Sequence, residues 1–247
     1  MIATIARKEL KILFTSPLAW TLLALTQLVL TWVFLGRLDA FLGVQSQLIQ
    51  IANPPGITEV IVTPVFSMAA VVLLMVTPLL TMRLLAEERR NNTLVLLLSA
   101  PISVADIVIG KFLSLMAFFF IMIALLAGLS TSLLIGGTLD FGLLLANVLG
   151  LSLIAACFVS LGLFVSSLTV YPAIAAIGAL GLLLGLWVVD IAASDADGVA
   201  RYFSLLKHYE YFNRGIIDTF SLAYFILFIV TFLILTMHRM NGERLRG

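Results

Sequence analysis

Residues that could carry chemistry are few in this chain, and they lie in short polar stretches between long apolar ones. No GxxxxGK[ST] motif occurs, and Gly110-Lys111 lacks both the first glycine and the hydroxyl residue of a P-loop. No HExxH motif occurs, and His208 and His238 are far apart. The single Cys157 excludes an internal disulfide. This pattern favours a protein without catalytic residues or a metal site of its own.

The densest group of charged residues lies within 83–111, between two apolar stretches. Residues 87–90 place two acids and two bases in succession, and a short apolar segment broken by Pro101 follows. One interpretation of these charges is a solvated flank of a membrane-spanning helix. The other is a docking surface through which a soluble partner acts on the membrane part.

The elements that position these residues follow from composition. Residues of the types AVILMFWYC make up 62 % of the chain, charged residues 11 %, and the mean hydropathy is +1.18. A soluble domain is about half apolar and about a quarter charged. We therefore expect an all-α polytopic membrane protein, with residues 1–247 forming one transmembrane domain. A helix needs about 20 apolar residues to cross a bilayer, and the predicted spans are 17–36, 60–84, 105–133, 141–165, 171–190 and 216–237.

Residues 2–14 have the pattern of an interfacial helix lying among the lipid headgroups. Arg7, Lys8 and Lys11 lie opposite an apolar face and point toward anionic membrane lipid. Glu9 falls on the apolar face. Either this carboxylate extends to water, or it pairs with a cation of the 83–90 region, because an unpaired carboxylate there is costly.

Several short patterns predict how the helices begin and meet. Ser16-Pro17 suits the start of the first span, and Ser103-Val-Ala-Asp106 matches a capping box before the third. Gly181 and Gly185 have GxxxG spacing, which permits close helix contact within the chain or across a dimer. The polar, aromatic-rich stretch 191–215 predicts short interfacial helices on the outer side.

The placement of Lys and Arg predicts the orientation. Cations concentrate on one side of the predicted topology, so that side is expected to be cytoplasmic, with both termini inside. These cations are Arg7, Lys8, Lys11, Arg83, Arg89, Arg90, Lys111, Arg239, Arg244 and Arg246.

Three segments resemble the permease subunits of ABC type-2 transporters. Arg7-Lys-Glu-Leu10 lies in an N-terminal amphipathic helix, as in that family, and residues 87–101 resemble its cytoplasmic loop, EE(K/R)xxGTxExLLxxP. Residues 212–218 resemble the gliding-motility-type branch of bacterial permeases. The chain departs from the loop pattern twice, with Asn92 in place of glycine and Val95 in place of glutamate.

The resemblance implies an ABC type-2 exporter fold, with a coupling helix in the cytoplasmic loop that docks on a separate ATPase and helices that close the exit outside. It implies no cofactor in this chain, since ATP and Mg²⁺ would be bound by a dimer of cytoplasmic ATPase subunits. The implied ATPase contacts are Glu87, Glu88, Arg89, Arg90, Thr93, Leu94, Leu97 and Ser99. Glu87–Arg90 would fix the loop to Glu9 or to the ATPase. The implied outer gate is Tyr209, Phe212, Arg214 and Gly215.

The expected function is that of a permease subunit of an exporter in the bacterial inner membrane, paired with a second copy or a sister permease. The alternative is an ABC-type module that uses ATP hydrolysis for mechanical or regulatory work at the envelope. A stand-alone carrier or scaffold is a third interpretation. An accessory protein of the envelope is a further candidate partner, and nucleic acid is not.

Overall fold

A computed structural model describes residues 1–48, 56–91, 102–135, 139–194 and 204–244. Eight α-helices lie within these ranges, together with a π-helical turn before the third (Thr58–Val62) and a 3₁₀ turn after the fourth (Ser132–Ile135). The helices are α1 (Ile2–Thr15), α2 (Pro17–Leu48), α3 (Thr63–Arg90), α4 (Val104–Thr131), α5 (Phe141–Leu168), α6 (Pro172–Ser194), α7 (Leu205–Asn213) and α8 (Thr219–Arg244).

Six of these helices are long and apolar enough to cross a membrane, namely α2, α3, α4, α5, α6 and α8. The predicted all-α polytopic fold is therefore confirmed. Helix α5 lies at the centre, because 72 % of its apolar window is buried against 17 % for α6 and for α8. It packs against α3, α4, α6, α7 and α8, whereas α1 packs mainly along α4.

Several helices extend beyond their predicted bounds. Helix α2 continues to Leu48, whereas the predicted span ends at residue 36. Phe34, Leu38 and Phe41 continue one buried face beyond the apolar stretch, so tertiary packing supports the extra turns. Helix α3 continues without a break through Pro78 to Arg90. Residues 87–90 are therefore the last turn of a helix, and the expectation that they begin a loop is wrong.

The predicted helix starts are confirmed by their hydrogen bonds. The Ser103 hydroxyl accepts a bond from the Asp106 backbone N–H at 3.0 Å and donates one to the Asp106 carboxylate at 2.6 Å. The Ser16 hydroxyl accepts from the Leu18 N–H at 3.3 Å. Helix α5 begins in the same way, because Asp140 accepts bonds from two N–H groups of the first turn. Side chains near the helix ends thus determine where the chain enters each helix.

The two glycines with GxxxG spacing are not used for packing within the described part of the chain. A Cβ atom added at Gly181 or Gly185 would have no atom within 4 Å. At Gly178, about one turn earlier, an added Cβ atom would lie 3.2 Å from a methyl carbon of Val165 on α5. The surface around Gly181 and Gly185 on α6 is therefore open.

Candidate functional site: an ion-paired junction of three helices

The amphipathic helix α1 lies directly on the beginning of α4. Gly110 makes this approach possible, since a Cβ atom there would lie 2.7 Å from a methyl carbon of Ile5 and 3.3 Å from the Ile2 carbonyl oxygen. At the end of α1, the Trp20 indole N–H donates to the Phe14 carbonyl at 2.8 Å. The position of α1 is thus set by contacts with both α2 and α4.

One lysine connects three helices at this end of the bundle. Lys111, on α4, is 1 % exposed. Its Nζ lies 2.7 Å from Oε1 of Glu88 in the last turn of α3, and 3.3 Å from Oε1 of Glu9 in α1. Glu9 is itself only 8 % exposed and lies 3.7 Å from the exposed Lys8. We call Glu9, Glu88 and Lys111 the junction.

The end of α3 is held from a second direction by α5. The buried Ser166 hydroxyl accepts from the backbone N–H groups of Leu85 and Ala86 at 3.3 and 3.2 Å. It also donates to the Met82 carbonyl at 3.2 Å. The last turns of α3 therefore have polar contacts on α5 as well as the ion pair with α4.

A cavity of about 270 Å³ opens beside the junction, between α1, the start of α2 and the end of α3. Its walls combine leucine side chains with charged groups, among them Arg83 and Glu87. The end of α3 therefore borders open space on the side that faces α1 and α2.

The ion pairs of the junction are expensive to break. Removing one member of a buried ion pair costs about 3–5 kcal/mol, since the remaining charge is buried without compensation. Glu88 lies on one side of segment 92–101 and Lys111 on the other.

The structure brings together two of the predicted site residues, Glu9 and Glu88, through Lys111. Of the two alternatives for Glu9, the structure shows an ion pair, but its cation is Lys111 on α4 and not a residue of the 83–90 region. Glu87 and Arg90 are exposed and Arg89 is half-buried; Arg7, Lys8 and Lys11 are exposed, as the amphipathic pattern predicts. Thr93, Leu94, Leu97 and Ser99 lie outside the described residues.

Sequence reasoning missed Lys111, which was counted only among the cations of its side. A signal was present, because Lys111 lies between apolar residues in the third turn of a highly apolar helix. A buried lysine requires a partner. The carboxylate on the apolar face of α1 and those at the end of α3 were the available candidates.

The residues expected to form an outer gate lie at the opposite end of the bundle, on and after α7. Tyr209 and Phe212 are buried, and the Tyr209 hydroxyl donates to the Phe66 carbonyl at 2.9 Å. Burial raises the pKa of Tyr209. Arg214 is exposed, 3.9 Å from Glu210, and Gly215 has a positive φ of 80°, which favours glycine. Together these contacts hold α7 against α3 and α5.

Hydrogen bonds at the start of α8 connect this helix to α7. The Asp218 carboxylate accepts from the Ser221 hydroxyl at 2.9 Å and from the Ser221 N–H at 3.1 Å. These hydrogen bonds lower the pKa of Asp218. The Ser221 hydroxyl also lies 3.0 Å from Nδ1 of the buried His208 in α7. Asp218 and Ser221 thus connect the start of α8 to α7.

Six apolar helices of membrane-spanning length define a multi-pass membrane protein, and an amphipathic N-terminal helix is joined to α3 and α4 by ion pairs at one end. The family model described as ABC-2 family transporter protein matches residues 3–239, nearly the whole chain. The chain therefore belongs to the ABC-2 family of transporter membrane proteins. Members of this family are membrane components, generally not enzymes themselves, and normally work with an ATPase partner. A comparison with curated proteins found no match to this chain.

Proposed function

We propose that this protein is the permease subunit of an ABC exporter in the bacterial inner membrane. ATP hydrolysis by a separate ATPase would supply the energy, and the junction would carry the resulting movement into the membrane helices. The observation that carries this proposal is the buried Lys111, which connects both sides of segment 92–101 to the interfacial helix.

The cationic composition of this end of the bundle supports a cytoplasmic orientation. Arg7, Lys8 and Lys11 are exposed on α1, and Arg83 and Arg90 are exposed on α3. Cations near the ends of membrane-spanning helices favour the cytoplasmic side. In this orientation the ATPase would dock on segment 92–101, and ATP and Mg²⁺ would remain on the ATPase.

Two permease copies, or one copy with a sister permease, would form the complete transporter. The open surface of α6 around Gly181 and Gly185 supports this arrangement, because close helix contact at these glycines is not made within the described chain. Small residues allow two membrane helices to approach closely. The second subunit would then lie against α6.

The docking role of segment 92–101 is tested by placing a charge on it. The Leu97→Asp variant is expected to lose the ATPase that co-purifies with the tagged wild-type chain in detergent. A buried apolar contact would be replaced by an uncompensated carboxylate, which is costly in an interface. The measurements are the amount of ATPase retained and the Mg²⁺-dependent ATP hydrolysis of the purified complex.

Leu245→Asp, in the C-terminal tail, is the control for adding a charge on the same side of the membrane. It is expected to retain the ATPase. An undiminished complex with Leu97→Asp would contradict the docking assignment, and the absence of any ATPase from the wild-type preparation would favour a stand-alone carrier or scaffold. A complex that hydrolyses ATP without moving a substrate would favour the mechanical alternative.

A further inference from the structure

Helices α3 and α5 approach each other closely where Gly162 faces Thr81. A Cβ atom at Gly162 would lie 2.8 Å from Cβ of Thr81, so this distance requires a glycine. Ser166 follows one turn later on α5 and is fully buried. The close approach of the two helices therefore places the Ser166 side chain against the backbone of α3.

The Ser166 hydroxyl uses its full hydrogen-bonding capacity on that backbone. It donates to the Met82 carbonyl at 3.2 Å and accepts from the N–H groups of Leu85 and Ala86 at 3.3 and 3.2 Å. A hydroxyl has one proton to donate and two lone pairs, so these three bonds satisfy it completely. The Met82 carbonyl and the Ala86 N–H are four residues apart, as are the two partners of each hydrogen bond within an α-helix. Ser166 thus contacts α3 at both groups of one such pair.

The other serines in the described α5 do not contact α3 in this way. Ser152, Ser160 and Ser167 each donate to a carbonyl three or four residues earlier in α5 itself. Serines within helices commonly satisfy their hydroxyls by such local bonds. Ser167 is as completely buried as Ser166, so burial alone does not require bonds to another helix. The bonds of Ser166 follow from its particular position between α3 and α5.

These bonds lie between an interrupted part of α3 and the junction. Pro78 has no N–H, so the hydrogen-bond ladder of α3 lacks one bond there. Ser166 then holds Leu85 and Ala86, and Glu88 follows within one turn. Successive residues of a helix point about 100° apart, so the rotation of this turn decides whether Glu88 faces Lys111.

We propose that Ser166 is a positioning residue for the junction. Its three bonds fix the rotation of the last turns of α3, and this rotation directs Glu88 to Lys111. The inference deepens the proposed function and rests on it for the effect on coupling to the ATPase. The position of Glu88 itself is measurable without an ATPase, so the two proposals can fail separately.

The test compares Ser166→Ala with Ser167→Ala, which removes a hydroxyl from the neighbouring buried residue but no bond to α3. Each full-length protein in nanodiscs is treated with a membrane-permeant carbodiimide. This reagent joins a lysine amine to an adjacent carboxylate as an amide and takes up the water that is lost. Peptide mass spectrometry gives the ratio of the Lys111–Glu88 product to the Lys111–Glu9 product.

Ser166→Ala is expected to lower this ratio about tenfold, because the end of α3 loses three hydrogen bonds to α5. The contact of Lys111 with Glu9 at 3.3 Å joins α4 to α1 and serves as the internal reference. Ser167→Ala is expected to keep the wild-type ratio. Hydrogen exchange of peptides that cover residues 82–90 should be faster in Ser166→Ala and unchanged in Ser167→Ala.

Coupling is measured on the complex with the ATPase. Ser166→Ala is expected to retain the ATPase and to lower its stimulated hydrolysis severalfold, since the docking segment is intact while Glu88 is displaced. Ser167→Ala should match the wild-type protein in both measurements. A role in stability alone would instead lower the melting temperature and the amount of retained ATPase together.

An unchanged cross-link ratio in Ser166→Ala would overturn the proposal. An equal fall of both Lys111 products would also overturn it, since a general loosening affects Glu9 as well as Glu88. A lowered ratio with undiminished hydrolysis would contradict the importance of the Glu88 position for coupling. A wild-type preparation without any ATPase would contradict the proposed function alone, because the ratio would still decide the role of Ser166.

Discussion

Replacing Lys111 with methionine is expected to destabilise the protein and to abolish coupling to the ATPase. Methionine has a similar length but no charge, so the buried Glu9 would lose its nearest cation and Glu88, whose side chain is 20 % exposed, would lose its 2.7 Å ion pair. The expected loss is about 3–5 kcal/mol in the free energy of unfolding, because uncompensated buried charges are costly. Thermal unfolding in detergent measures the first effect, and permease-stimulated ATP hydrolysis of the purified complex measures the second.

A variant whose junction carries no charge distinguishes the effect of these residues on stability from their effect on coupling to the ATPase. In the triple variant Lys111→Met, Glu9→Gln, Glu88→Gln no charge is left buried, so the melting temperature should recover most of the loss. Coupling should not recover, because the ionic connection between the three helices is absent. Lys8→Met is the matched control; Lys8 is 59 % exposed, and its surface pair is expected to contribute about 0–1 kcal/mol. Full coupling in the neutral junction would show that the ion pairs serve stability alone.

The Gly110→Val variant is expected to lift α1 from α4 and to expose Lys111. The new side chain would occupy the position of Ile5, and the nearby Ile2 carbonyl leaves the backbone little room to adjust. Overpacking of this kind costs about 1–3 kcal/mol. We expect an amine-reactive reagent, which spares the buried Lys111 of the wild-type protein, to modify it in the variant. Peptide mass spectrometry measures the extent of modification.

Two references make the labelling quantitative. Lys8 is exposed in the wild-type protein and should be modified equally in every variant. Gly128→Val lies on the same helix, where an added Cβ atom has no neighbour within 4 Å, so Lys111 should stay protected there. If Lys111 is protected in Gly110→Val as well, the position of α1 does not depend on this close contact. The proposal that α1 receives movement from the ATPase through the junction would then be contradicted.

Patterns within a few turns of the sequence correctly predicted which face of α1 carries Glu9 and where α4 begins. The carboxylate of Glu9 was expected on the apolar face of α1 because helical periodicity alone places it there. The start of α4 at Ser103 was expected because the capping residues lie within one turn. The end of α2 was predicted wrongly, since Phe41 stays helical through burial against the rest of the bundle, which no local pattern records.

The amino-acid sequence by itself determined the class of this protein: the number of membrane-spanning helices, the interfacial helix, and the side on which cations collect. These properties depend on composition and on periodicity over a few turns. Only the tertiary structure decided that Lys111 pairs with Glu9 and Glu88, and that the Asn147 side chain donates to the Asn213 carbonyl at the other end. Such contacts join residues that are distant in the chain, and they exist only because particular helices pack side by side.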